Sequence, residues 1–212
     1  MAQEGGFLDK AQKLIDGITG NHTKERWEEQ YAKGEWAWLR RIDELGHHSV
    51  LAGYFHYLKP GGSILDIGCG EGLLQERLNG YEKYVGVDLG EAIKIAAAKA
   101  VSENDSKTKF AVGDMNTYTP EQMFDAMVFN ESIYYLDDIT KSLRQYDKFL
   151  NKNGVMLISV HQRDKHQKIW DAIEQVYTPI DECVVINKLG TGWTCKALMR
   201  PAEAPQVAGN EK

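Results

Sequence analysis

The order of segments limits the fold most. From Ser63 onward, short apolar runs alternate with stretches of helical periodicity. The runs are Ser63–Ile67, Tyr84–Asp88, Lys109–Val112, Phe124–Asn130 and Val155–Val160. Helical stretches fall at Leu73–Leu78 and Ala92–Val101, in a short piece before Phe124, and at Asp138–Leu150. A strand covered by helices on both faces reads as a continuous apolar run, because neither face meets water. Five strand–helix repeats therefore predict an α/β fold with a doubly wound parallel sheet. The chain then changes character. A helix from about Lys165 to Val176 and Pro179 precede two more strand-like runs, Cys183–Asn187 and Trp193–Met199. The short link Lys188-Leu189-Gly190-Thr191-Gly192 suits a hairpin, so the last pair should be antiparallel. The expectation is a mostly parallel seven-stranded sheet with a C-terminal antiparallel hairpin.

The segment before Ser63 is helical instead. Apolar spacing suggests helices over residues 5–17, Lys24–Lys33 and Ser49–Leu58, with a bend at Gly34 and a stop at Pro60-Gly61-Gly62. This divides the chain into an N-terminal helical lid over 1–58, an α/β core over 59–200 and a tail over 201–212. The tail is rich in Pro, Ala, Glu and Gln and is expected to be disordered.

Composition narrows the function classes. Lys plus Arg is 25 against 31 Asp plus Glu, a formal charge of −6 with no basic run, which argues against a nucleic-acid partner. Three scattered cysteines, Cys69, Cys183 and Cys195, suit neither a disulfide framework nor a zinc site. His47-His48 is no metal pair either, since adjacent helical residues diverge by about 100°, though one of them could reach the acceptor pocket from the lid. No run approaches the ~18 apolar residues of a membrane span, and the start lacks the plan of a signal peptide. These features suggest a soluble, cytoplasmic protein without a membrane or metal role; they leave its oligomeric state open.

Chemistry concentrates at Ile64–Gly72, ILDIGCGEG. Glycines directly after a strand let the backbone turn sharply and let a ligand touch the main chain. A phosphate-cradling P-loop wants Lys and Ser/Thr after the last glycine, but Leu73 and Leu74 stand there. The dinucleotide fingerprint G-x-G-x-x-G/A also fails, because the glycines are Gly68, Gly70 and Gly72 and the sixth position is Leu73. Glu71 would moreover set a negative charge against a pyrophosphate. Asp66 at the end of the first strand suits a ligand with positive charge. Asp88 ends the second strand, where a carboxylate can accept two hydrogen bonds from a ribose diol. Ribose plus a cationic group, without pyrophosphate, describes S-adenosylmethionine.

The segments ILDIGCGEG, VGVDLG, FAVGDM and FDAMVFNESIYYL, in that order, resemble the Rossmann-like class I S-adenosylmethionine-dependent methyltransferases over about Tyr54 to Met199. NESIYYL is similar to a subgroup of small-molecule methyltransferases that includes the bacterial nodulation-type N-methyltransferases. The resemblance implies that Asp66, Gly68, Cys69, Gly70 and Gly72 line the methionine part of the cofactor. Asp88 would hold the ribose, and Leu89 would pack on the adenine. Asp114 would accept from the adenine amino group, Met115 would offer its N–H and apolar surface, and Asn130 would meet the amino-acid end.

In open α/β sheets ligands lie beyond the carboxyl ends of the strands. Residues after the fourth and fifth strands should therefore face the methyl acceptor. Glu131 and His161 are the candidate general bases, with His161 expected near its ordinary pKa. Tyr134 and Tyr135 could orient the acceptor, and Tyr31 and Trp36 from the lid could close over it. The expected function is methyl transfer to N or O of a small-molecule metabolite. The competing readings are a non-catalytic binding module on the same fold and a nicotinamide-dependent reductase, the latter disfavoured by Glu71 and Leu73.

Overall fold

The computed structural model describes residues 24–102, 105–163 and 166–205. Seven strands form one sheet in the order β3-β2-β1-β4-β5-β7-β6. They are β1 (Ser63–Ile67), β2 (Lys83–Asp88), β3 (Thr108–Val112), β4 (Phe124–Asn130), β5 (Leu150–His161), β6 (Thr178–Ile186) and β7 (Gly192–Met199). β3, β2, β1, β4 and β5 run parallel, and β7 is antiparallel to both β5 and β6. The helices are α1 (Lys24–Ala32), α2 (Leu45–Leu58), α3 (Gly90–Ser102), α4 (Ile139–Tyr146) and α5 (Gln167–Ile173). This is the expected doubly wound sheet with its terminal hairpin.

Strand alternation sorts the core into two layers. Leu65 and Ile67 of β1 join Phe129 of β4 and Ile158 of β5 under Leu143 and Trp170 of α4 and α5. Ile64, Tyr84, Val128 and Leu157 point the other way, against Leu51 and Phe55 of α2. Every residue of β1 is buried, as its continuous apolar run required. The strand order reverses between β1 and β4, so the carboxyl ends of these parallel neighbours open a crevice.

Several expectations need correction. The third N-terminal helix was expected at Ser49–Leu58 within a lid. It begins at Leu45 and covers the sheet face of β4, β5 and β7, so the covering segment is shorter than 1–58. Leu73–Leu78 is no α-helix but holds only a 3₁₀ turn at Gln75–Arg77, hemmed in by left-handed glycines Gly72 and Gly80. α4 ends at Tyr146, and a 3₁₀ turn at Asp147–Phe149 leads into a β5 that starts at Leu150. β6 runs through Pro179, which the sheet tolerates because β6 is an edge strand with a register shift at that point. Part of the expected tail is ordered: Arg200 binds Asp147 and Glu203, and residues 201–203 form a turn. The helix expected over residues 5–17 and the tail beyond 205 lie outside the described residues.

Candidate functional site

A cavity of about 520 Å³ opens at the carboxyl ends of β1, β2 and β4. Its floor is the glycine loop. Gly68, Gly70 and Gly72 all take left-handed backbone, with φ of 74°, 55° and 78°. A Cβ on Gly68 would stand 2.4 Å from Cβ of Ser132, so only glycine fits there. Two acids bracket the loop. Asp66 is buried, and its Oδ2 accepts from the Tyr84 hydroxyl at 2.6 Å while Oδ1 has no partner. Burial pushes the Asp66 carboxyl up to about 7. Asp88 ties the loop to the next helix: Oδ2 accepts from the Gly70 N–H and Oδ1 from the Leu89 N–H, both at 2.7 Å. Burial raises it to about 6, against the lowering effect of those two N–H groups, and the Glu28 carboxylate adds to the rise.

Further along the wall, the Asp114 carboxylate caps its own turn, accepting from the Asn116 N–H at 2.9 Å. The Met115 carbonyl accepts from the Tyr146 hydroxyl at 2.7 Å, which fixes the Met115 backbone. Cys69 is buried, and burial pushes its thiol well up, so it stays protonated and inert. Gly86 makes room for that sulfur: a Cβ there would lie 2.8 Å from it.

The N-terminal segment covers the cavity. Trp27 stacks on Trp36 at 5.0 Å between ring centres and meets Tyr135 edge-on at 5.0 Å. Tyr31 and Trp38 flank Trp36 at 5.9 and 6.1 Å. Gly34 is the expected bend, left-handed at φ 66°. Sequence reading missed the two fastenings of this cover. The Glu28 carboxylate accepts from the free N–H groups of Gly90 and Glu91 at 2.9 and 2.6 Å. Arg40 reaches Glu71 at 2.7 Å and Glu76 at 3.1 Å. Glu71 thus has its own cation, and its charge does not face the cavity alone.

At the far end lies a buried polar network. Asn130 Oδ1 meets His47 Nδ1 at 2.7 Å and the Ser159 hydroxyl at 2.8 Å, and Asn130 Nδ2 meets His48 Nδ1 at 2.8 Å. The two imidazoles lie 4.2 Å apart, and His47 also stacks on Trp193 at 4.9 Å. Glu131 takes a left-handed backbone, φ 56°, unusual for a residue with a side chain. That twist turns its carboxylate inward, where Oε1 shares the Ser159 hydroxyl proton with Asn130, at 3.1 Å, and Oε2 accepts from the His161 N–H at 3.2 Å. Burial raises the Glu131 carboxyl, while His47 and Ser159 pull it down. Tyr134 and Tyr135 pack edge-on at 4.6 Å, and burial raises both phenols, so they are neutral donors.

His161 departs from its expected titration. Burial lowers it to about 4, with the Arg163 and His166 charges adding to the fall. Its Nδ1 faces Arg163 Nε at 3.4 Å. Such an imidazole is neutral at pH 7 and a weak base. The Asn130 side chain is the hub of this network. Glu44, Ser159 and Trp193 join the site without having been singled out, and both His47 and His48 line it where one of them was expected to reach it. The one available signal was the His47-His48 dipeptide on a helix, set aside as a metal pair because the rings should diverge; Asn130 draws them together. No group of three or more potential metal ligands occurs among the described residues.

A family model described as a methyltransferase domain matches residues 34–199. The chain is 32% identical over 112 residues to phosphoethanolamine N-methyltransferase 1 of Arabidopsis thaliana, covering 50% of this chain and 22% of that protein. It is 31% identical over 99 residues to the ubiquinone biosynthesis O-methyltransferase of Pelagibacter ubique, covering 45% and 40%. It therefore spans less than half the length of these curated relatives. Among solved structures, the N-methyltransferase NodS from Bradyrhizobium japonicum WM9, in complex with S-adenosyl-L-homocysteine, superposes with a TM-score of 0.73 at 19% identity. That match covers 85% of this chain and 100% of NodS. The 1,6-didemethyltoxoflavin-N1-methyltransferase of Burkholderia thailandensis gives 0.71 at 17% identity, covering 84% and 86%. At these identities the likeness is one of fold.

Proposed function

The chain belongs to the methyltransferase domain family, and from that premise we propose that it transfers the methyl group of S-adenosylmethionine to N or O of a small molecule. The observation that carries this reading is the left-handed glycine cradle with the buried, unpartnered Asp66 Oδ1 at its edge. An unsatisfied buried acceptor calls for a donor, and a ligand ammonium supplies one. Each Asp88 oxygen accepts one backbone N–H and retains a lone pair for a ribose hydroxyl. These acceptors therefore fit the cofactor.

In this reading Asp66, Gly68, Cys69, Gly70 and Gly72 hold the methionine part and Asp88 the ribose. Leu89, Asp114 and Met115 hold the adenine, and Asn130 stands beside the amino-acid end. The cofactor supplies an electrophilic methyl carbon on a sulfonium. The protein's part is chiefly alignment, since in-line displacement asks mainly for approach at about 3 Å. Trp27, Tyr31, Trp36 and Tyr135 exclude water, and Glu131, Tyr134 and His161 line the acceptor end. The enclosed cavity under a short cover suits a metabolite better than a macromolecule. The acidic balance and the absence of a basic run support the same acceptor class. No described helix is long and apolar enough to cross a membrane.

Calorimetric titration with S-adenosylhomocysteine, with NADH as control, tests the reading. Binding of the first alone is expected. Binding of NADH alone, or of neither, would remove the assignment.

A further inference from the structure

An amide offers an acceptor at one end and a donor at the other. Two imidazoles bonded to the two ends must therefore take opposite tautomers. Asn130 holds His47 and His48 in this way through their Nδ1 atoms. With Oδ1 on His47 and Ser159, His47 carries its proton on Nδ1 and bares the lone pair of Nε2. With Nδ2 on His48, that ring accepts at Nδ1 and carries its proton on Nε2. Building on the methyl-transfer reading, we propose that His47 Nε2 is the base that takes the acceptor's proton, that His48 Nε2–H binds the same atom, and that this pair selects a hydroxyl acceptor over an amine.

Geometry carries the proposal. Both Nε2 atoms are buried and without a hydrogen-bond partner, and both residues line the cavity. The rings lie 4.2 Å apart at 31°, and their Nδ1 atoms share one amide. In the proposed arrangement one acceptor oxygen lies between the two unpartnered Nε2 atoms. A hydroxyl has one proton and two lone pairs. The proton points to His47 Nε2, one lone pair accepts from His48, and the other remains for attack. A neutral amine has a single lone pair. Accepting from His48 would engage the electrons needed for attack.

The step balances. The acceptor oxygen forms a bond to the methyl carbon as the carbon–sulfur pair returns to sulfur. The hydroxyl proton passes to His47 Nε2 and is later lost to water. His47 Nε2 itself lies 3.6 Å from Glu44 Oε2, and Trp193 stacks on the ring at 4.9 Å between centres. Burial, with the charges of His47 and Arg77, lowers His48 well below the usual histidine range, which keeps it a neutral donor. Glu44, Glu131 and Arg77 are the other charged groups around the pair.

Two-bond ¹H–¹⁵N correlation spectra of the full chain, labelled with ¹⁵N in its histidine rings, test the tautomers without cofactor or acceptor. His47 should carry its proton on Nδ1 and His48 on Nε2, and Asn130→Ala should abolish the difference. Matching tautomers in the wild-type protein, or the reverse pair, would overturn the role given to His47. The acceptor class is read by supplying S-adenosylmethionine with a deuterated methyl group and a small-molecule cell extract. Label on oxygen is expected, with His47→Gln lowering its rate ~10²-fold while S-adenosylhomocysteine affinity stays unchanged. Label on nitrogen would overturn the hydroxyl assignment. Loss of S-adenosylhomocysteine binding in the wild-type protein would instead sink the methyl-transfer reading on which the proposal rests.

Discussion

Glu28 caps a helix that it does not belong to: its Oε1 accepts from the Gly90 N–H, the first residue of α3, at 2.9 Å. Its Oε2 does the same for Glu91 at 2.6 Å. Asp88 stands two residues before Gly90 and already holds the N–H groups of Gly70 and Leu89. One strand end thus anchors the glycine loop, and the next helix start anchors the cover. Glu28→Ala should remove about 1 kcal/mol of capping energy. For a chain of this size that lowers Tm by roughly 2–4 °C. It should also weaken S-adenosylhomocysteine binding, because the cover loses its hold beside Asp88. A melting scan and a calorimetric titration check the two effects; an unchanged affinity would separate the cap from the site.

Arg40 fastens the other end of the cover, reaching Glu71 in the loop and Glu76, which Lys99 also meets at 2.5 Å. The Arg40 side chain is 41% exposed, so solvent screens the pair, and its worth is about 0.5–1 kcal/mol. Arg40→Ala should therefore weaken S-adenosylhomocysteine binding only a few-fold in dilute salt. In 1 M NaCl, where the screening length falls to about 3 Å, the difference from wild type should nearly vanish. A difference that persists in high salt would point to packing instead of charge.

Gly68→Ala tests the cradle. The new methyl group would meet Ser132 Cβ at 2.4 Å, in a left-handed backbone with φ 74°. Gly190 is also left-handed, φ 85°, but has nothing within 4 Å of its would-be Cβ, so Gly190→Ala isolates the backbone cost of about 1 kcal/mol. Gly68→Ala should lose far more stability than Gly190→Ala, and with it cofactor binding. Equal melting temperatures for the two variants would mean that Ser132 yields.

The parts of this site that are legible in the sequence are those set by local order. A buried strand followed by Gly68, Gly70 and Gly72 fixes a turn, and Asp66 and Asp88 take their places from their own strands. What escaped sequence reading spans long separations. Glu28 meets Gly90 across 62 positions, Arg40 meets Glu71 across 31, and His47 meets Asn130 across 83. Each side chain alone reads as an ordinary helix or surface residue, and only tertiary packing gives it a partner. His161 illustrates the converse. Its place at the end of β5 follows from the strand, but its low pKa depends on burial and on Arg163 and His166, which periodicity does not reveal.

Two raised carboxyls give stability a pH dependence of unusual sign. Asp66 is held up to about 7 and Asp88 up to about 6, in each case chiefly by burial. Below about pH 3 both are protonated in the folded and the unfolded chain, and neither penalises folding. As pH rises from there, the unfolded chain releases these protons while the folded chain retains them. Stability therefore falls through the window and levels off above about pH 7. Asp66→Asn keeps the shape and an acceptor for the Tyr84 hydroxyl but cannot ionise. Denaturant unfolding at pH 5, 6 and 8 should show the variant gaining on the wild-type protein as pH rises. Saturating S-adenosylhomocysteine, whose ammonium would sit beside the ionised Asp66, should narrow the gap at pH 8. A gap that is constant across pH would place the Asp66 carboxyl in the ordinary range and remove its role as the buried counter-charge.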